Sequence, residues 1–174
     1  PILGCEVYVA SGSRLEKTGP QSETNHLVLL AETEQGYKNL IKLVSAGYTE
    51  GFYYRPRIDK ALLAQHSEGL IGLSSCLKGE VASALRVEQA RPALEAAARL
   101  RDILGPSNFF LEMQYQGIEE QLTVNRGILP LARELNLPLV ATNDVHYLRQ
   151  GDSQPHDVLL CIGTGKTVND TQRL

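Results

Sequence analysis

Short, almost wholly apolar segments alternate with amphipathic helical ones along this chain. That pattern predicts an α/β domain in which helices cover a parallel sheet. Size and composition agree. The 174 residues, 43% hydrophobic and 21% charged, suffice for one domain (1–174) with a real core, and no repeat or low-complexity tract divides it. No apolar run reaches the roughly 18 residues of a membrane helix, and no basic-then-apolar leader opens the chain.

Residues 2–10 read as a strand, with Val7 and Val9 alternating against Glu6 and Tyr8. The polar stretch 11–25, holding Gly12, Gly19 and Pro20, reads as a loop. Residues 26–31 form a second strand, apolar enough for burial on both faces. A helix starts near Glu34, with Tyr37, Leu40, Ile41 and Val44 on one stripe and Gly47 at its C-terminal end. Residues 52–58 are an aromatic, Arg-rich connector interrupted by Pro56, after which Asp59 caps a short helix through Gln65.

Residues 69–73 read as a short buried strand ending at Ser74-Ser75-Cys76. The strongest helix covers 89–104, where Ala93, Ala97, Leu100 and Leu104 share a face and Gly105-Pro106 stops it. A strand at 109–113 and a helix at 118–135 follow. Pro130 lies inside that helix, where it costs ~3 kcal/mol or forces a kink. The last strand is 137–142, and Pro155 opens a short helix toward Cys161. About five strands are legible, fewer than a closed barrel needs. The chain opens at Pro1, without Met, directly in an apolar run. Both features read as part of something longer.

The net charge of −3 argues against a module that holds nucleic acid by bulk charge. The basic residues are scattered rather than striped, so counterion release contributes little to duplex binding. Three widely spaced cysteines, Cys5, Cys76 and Cys161, exclude a disulfide scaffold or zinc ribbon and suit a reducing cytoplasm. Two familiar patterns fail. Gly165-Lys166-Thr167 lacks the P-loop glycine, since Leu160 stands in its place. Gly72 to Cys76 imitates a nucleophile elbow but closes on Cys76 instead of glycine.

Asn143-Asp144-Val145-His146-Tyr147 directly follows the last strand. Side chains just past a strand's C-terminal end face the active site in α/β sheets and barrels. In an extended segment Asp144 and His146 point to the same side, half of a site for Zn²⁺, Mn²⁺ or Fe. The plainer alternative makes Asp144 a turn cap and His146 a surface ring. Glu6 is a carboxylate in an apolar strand, where an unpaired charge is expensive. It meets His26 if the intervening residues form an excursion that returns; otherwise an arginine such as Arg57 is its partner and His26 is a core histidine. Cys76 closes a strand, as a ligand or as a small buried hydrophobe. His66 and His156 follow or open helices and read as surface residues.

The segments 4–9, 25–31 and 51–59 (GFYYRPRID), Leu73-Ser74-Ser75-Cys76 and 141–147 occur in this order. Together they resemble the PHP (polymerase and histidinol phosphatase) domain at the N-terminus of bacterial replicative DNA polymerase III alpha subunits. The resemblance spans essentially the whole chain, and the 51–59 connector marks the polymerase branch rather than the small phosphatases.

It implies part of a distorted, TIM-like β/α barrel with a metal cluster at the C-terminal strand ends. Glu6, His26, Cys76, Asp144 and His146 fall on the family's ligand positions. The family's first His-x-His and its Asp-His pair have no counterpart after Pro1, so a full cluster is not expected from these residues alone. The implied activity is metal-dependent phosphodiester hydrolysis, such as 3′–5′ removal of a mispaired nucleotide. Asp144 and His146 help activate water on Zn or Mn, Cys76 binds as thiolate and His146 as neutral imidazole. The parent would be a template-directed polymerase taking DNA and dNTPs, with Mg²⁺ in a separate palm domain. A proofreading exonuclease subunit and a sliding clamp are its implied partners. The alternatives are a non-catalytic docking domain of the same polymerase, or its error-prone homologue.

Overall fold

Residues 1–18 and 23–173 are described by a computed structural model. Gly19 and Pro20 of the expected loop lie outside the described residues. The chain divides into two compact units, Pro1–Thr142 and Asn143–Leu174.

Alternation in β1 (Gly4–Ala10) buries Val7 and Val9 on one side and leaves Glu6 and Tyr8 on the other. The chain then turns back. Strand β2 (Thr24–Ala31) pairs antiparallel with β1, from Gly4 opposite Leu30 to Ala10 opposite Thr24. The sheet is therefore mixed, a correction to the parallel expectation. Its order is β3-β1-β2-β4-β5-β6, with β3 at Arg57–Ile58, β4 at Leu70–Leu73, β5 at Phe109–Gln114 and β6 at Leu139–Thr142. Only β2 runs against its neighbours; β3 is parallel to β1, and β4, β5 and β6 are parallel to one another. The sequence pattern missed β3 because two residues on an edge leave no periodicity.

One face of the sheet carries Val7, Val9, Leu27, Leu29, Phe109 and Leu111, all buried in a core shared with the helices. On the other face Val28 and Leu30 are only half-buried, so β2 is not buried on both sides as its composition implied. Helix α1 (Glu34–Thr49) is capped by the Thr33 hydroxyl, which accepts from the Gly36 amide. Its buried face is Gly36, Asn39, Leu40, Leu43 and Gly47, whereas Tyr37 and Ile41 are 44% and 48% exposed. The stripe is thus rotated from the expected one, and Gly47 lies within the helix. The reason is close approach: a Cβ on Gly36 would stand 1.7 Å from the Gly69 carbonyl oxygen.

Asp59 caps α2 (Lys60–Gln65) as expected, accepting from the Leu62 amide at 2.8 Å. A short α3 (Glu80–Arg86), not foreseen, precedes α4 (Ala90–Leu104), whose Ala93, Ala97, Leu100 and Leu104 are buried as the periodicity requires. Helix α5 (Glu119–Leu135) runs through Pro130, which sits on the exposed side. In the second unit a 3-10 turn (Gln150–Asp152) leads into α6 (Ser153–Thr164).

Two charged groups fasten the loop after β1. The Arg57 side chain, 1% exposed, donates from Nε to the Gly51 carbonyl and from Nη2 to those of Arg14 and Glu16. Arg14 in turn pairs with Asp59 at 3.1 Å and Glu50 at 2.6 Å. Burial alone would raise the Asp59 carboxyl, but hydrogen bonds from the Arg14 and Leu62 amides and the Arg14 guanidinium outweigh it and hold it below its usual range.

Two outcomes follow from this packing. Gly36→Ala should lower stability by about 1–3 kcal/mol, because backbone must move to admit the methyl group; an unchanged denaturant midpoint would show that α1 sits farther from Gly69. A depressed carboxyl contributes stability that is present above its unfolded value, near pH 4, and is lost as pH falls through the folded value. The difference in midpoint between wild type and Asp59→Asn should therefore shrink in titrations below about pH 4.

Candidate metal centre

Because β2 is reversed, its first residues lie at the same edge of the sheet as the end of β1. Tyr8 stands opposite His26, and Glu6 is one pair farther along the same face. Glu6 Oε1 is 2.7 Å from His26 Nδ1, so the excursion does return and the two residues meet. Arg57, the alternative partner for Glu6, is committed to backbone carbonyls instead. His26 is not a core histidine: it lies on the face away from the helices, with its side chain 12% exposed.

Cys76 enters from the end of β4. Its Sγ is 3.9 Å from the same His26 Nδ1. The loop that carries it is closely held. The Gly79 amide donates to the Cys76 carbonyl at 2.8 Å, and the His26 amide donates to the Lys78 carbonyl at 3.0 Å. Ser75, just before Cys76, has φ +67°, a left-handed conformation that non-glycine residues seldom adopt. Around this group, the Tyr8 ring meets His26 edge-on at 4.9 Å between centroids, and Arg55 donates to the Tyr8 hydroxyl at 2.8 Å. Cys5 lies on β1 beside Glu6; burial first, then the Glu6 charge, pushes its thiol up, so it stays protonated.

Asp144 and His146 belong to the second unit. The expected extended segment is not what forms there. Asp144 has φ +51°, so the backbone turns, and His146 Nδ1 lies 2.6 Å from the Asp144 carbonyl oxygen. A ring N–H donated to that carbonyl fixes the tautomer and leaves Nε2 with its lone pair, the arrangement usual for metal-binding histidines. His156 is half-buried rather than a surface residue, with its ring 5.9 Å from that of His146 and 5.3 Å from that of Tyr147. His66 is also half-buried, at the end of α2.

One residue beside the site escaped the sequence pattern. Glu112, on β5, is 4% exposed and accepts from the Ser75 amide and, at 2.7 Å, from the Thr142 hydroxyl. The signal that singled out Glu6, a carboxylate inside an apolar strand, was equally present at Glu112.

Among the described residues no three His, Cys, Asp or Glu side chains form a ready metal cage. The donor chemistry nevertheless fits an ion. A carboxylate and a thiol both approach one imidazole nitrogen. Tetrahedral zinc separates its nitrogen and sulfur donors by roughly 3.5 Å, close to the 3.9 Å found between His26 and Cys76.

The family model for the PHP domain matches residues 1–116. The chain is 47% identical to the DNA polymerase III subunit alpha of Treponema pallidum over 175 residues, covering 99% of this chain and 15% of that protein. It is 43% identical to the corresponding subunit of Borreliella burgdorferi over 176 residues, covering 100% of this chain and 15% of that protein. The Mycobacterium tuberculosis subunit is 41% identical over 189 residues, covering 99% of this chain and 16% of that protein. The chain thus spans about 15% of the length of these relatives. By its sequence match and its helix-covered sheet, the chain belongs to the PHP domain family.

Proposed function

We propose that this chain is the PHP domain of a bacterial DNA polymerase III alpha subunit, part of a β/α barrel whose strand ends hold divalent metal for phosphodiester hydrolysis. The observation that carries the metal reading is the convergence of Glu6 and Cys76 on one nitrogen of His26. Asp144 and His146 complete the proposed ligand set. When bound, a divalent ion supplies Lewis acidity toward a phosphate oxygen and lowers the pKa of water. The soft thiolate of Cys76 weights the choice toward Zn²⁺ over Mn²⁺.

The chain's own residues have separable tasks in this reading. Cys76 loses its proton to become a ligand, and His26 gives up the Nδ1 proton it shares with Glu6. His146 keeps its Nδ1 proton on the Asp144 carbonyl and presents Nε2. Polymerisation, with DNA, dNTPs and Mg²⁺, is assigned to the longer protein, as are contacts with a proofreading subunit and a sliding clamp. No helix among the described residues is long and apolar enough to cross a membrane. The cysteine usage and the relatives' names as DNA polymerase subunits support a cytoplasmic setting.

In the domain of the longer protein, His146→Ala and Asp144→Asn should each lower bound zinc without changing the midpoint of the metal-free protein, because neither side chain contributes to the apolar core. Elemental analysis beside denaturation of metal-stripped samples decides this. A packed structural role predicts the reverse, full metal with stability lower by about 1–3 kcal/mol. Comparing metal-free proteins matters, since bound metal itself stabilises the native state.

A further inference from the structure

The loop that presents Cys76 departs from β4 through Ser74 and Ser75, and both are fastened to β5. The Ser74 hydroxyl accepts from the Glu112 amide at 2.8 Å, and the Ser74 amide donates to the Phe110 carbonyl at 3.0 Å. The Ser75 amide donates to Glu112 Oε2. On its other side Glu112 Oε1 accepts from the Thr142 hydroxyl, whose oxygen also accepts from Gln114 Nε2 at 3.0 Å. A carboxylate 4% exposed has thus been placed among apolar strands with a backbone amide and a hydroxyl as its donors. Burial of that kind is costly unless the donors are kept.

Ser75 explains why the site needs a buried acceptor on β5. At φ +67° its backbone is in a conformation disfavoured for a residue with a Cβ, and it persists only where surroundings over-determine it. The bond from its buried amide to Glu112 does so, beside a longer contact at 3.5 Å from its hydroxyl to Glu6 Oε2. We propose that Glu112 is a positioning residue for Cys76: oriented by Thr142, its carboxylate locks Ser75 in the left-handed conformation that turns the thiol toward His26. The inference rests on the ligand reading of Cys76 given above, yet its core claim concerns the metal-free chain.

The test uses the full 174-residue chain, stripped of metal. Alkylation by iodoacetamide is followed by mass mapping, so that Cys5, Cys76 and Cys161 are each tracked, together with hydrogen exchange at Ser75. Glu112→Met keeps side-chain length and removes both acceptors. It should raise the Cys76 alkylation rate and Ser75 exchange by roughly tenfold, the scale of one lost bond to a buried amide, with Cys5 and Cys161 unchanged. Glu112→Gln, which can still accept from Ser75, should stay within about twofold of wild type for the same reason. Should Glu112→Met fail to fold, Thr142→Val removes only the orienting hydroxyl and should still raise Cys76 alkylation.

Unchanged Cys76 and Ser75 in a folded Glu112→Met or in Thr142→Val overturns the proposal. An equal rise at all three cysteines does so too, since that is general destabilisation. A separate arm adds Zn²⁺ to wild type. Failure of Zn²⁺ to protect Cys76 sinks the ligand reading, while the metal-free arm still decides the positioning role.

Discussion

The direction of β2 is the constraint on which the larger unit depends. Paired antiparallel to both β1 and β4, it brings its N-terminal end to the edge where β1 and β4 end. His26, two residues after the start of β2, therefore faces the side chain of Glu6 and the loop carrying Cys76. A parallel β2 would put His26 at the opposite edge. The register is equally strict, because a slip of one residue would turn His26 into the helix-covered face and drive Leu27 and Leu29 out of the core. The burial of those two leucines, 2% and 0% exposed, therefore also sets the place of the imidazole.

Around this frame, buried charge is used to fix loops. Arg57 collects three carbonyls from the loop after β1 and from the connector, and Arg14 bridges that loop to the cap of α2. Glu112 does the equivalent for the loop after β4, with the polarity reversed: a carboxylate collecting an amide and a hydroxyl. Arg57 and Glu112 each satisfy irregular backbone that no helix or strand would satisfy: the Gly51, Arg14 and Glu16 carbonyls and the Ser75 amide. Such anchors contribute little net stability against an apolar replacement, since desolvation offsets much of the attraction. Their effect lies in choosing one conformation for segments that would otherwise have several.

Much of the architecture was legible because local signals agreed with the tertiary outcome. The α4 stripe, the Asp59 cap and the apolar runs at β4 and β5 each carry their period or their capping residue in the chain. Other features are invisible to such signals. Apolar alternation does not encode strand direction, so the reversal of β2 was unreadable. The face of α1 was misassigned because Tyr37 and Ile41 are apolar and Gly36 and Gly47 are not scored as core, although close backbone approach makes glycine the residue that packs. Of the site, Glu6 and His26 were legible as a pair conditional on a returning chain. The shape of the Asp144 segment was not, because its left-handed turn depends on backbone dihedrals that an Asp at that position permits but does not announce.

The two halves of the proposed ligand set rest on different kinds of support. Glu6, His26 and Cys76 lie within the stretch matched by the PHP family model, and they approach one another within one unit. Asp144 and His146 lie beyond residue 116, outside that match and in the second unit. Their assignment draws on the polymerase relatives, whose similarity continues over 99% of the chain, and on the local chemistry of His146. Thr142 ends β6 and donates its hydroxyl to Glu112, the same carboxylate that accepts from the Ser75 amide beside Cys76.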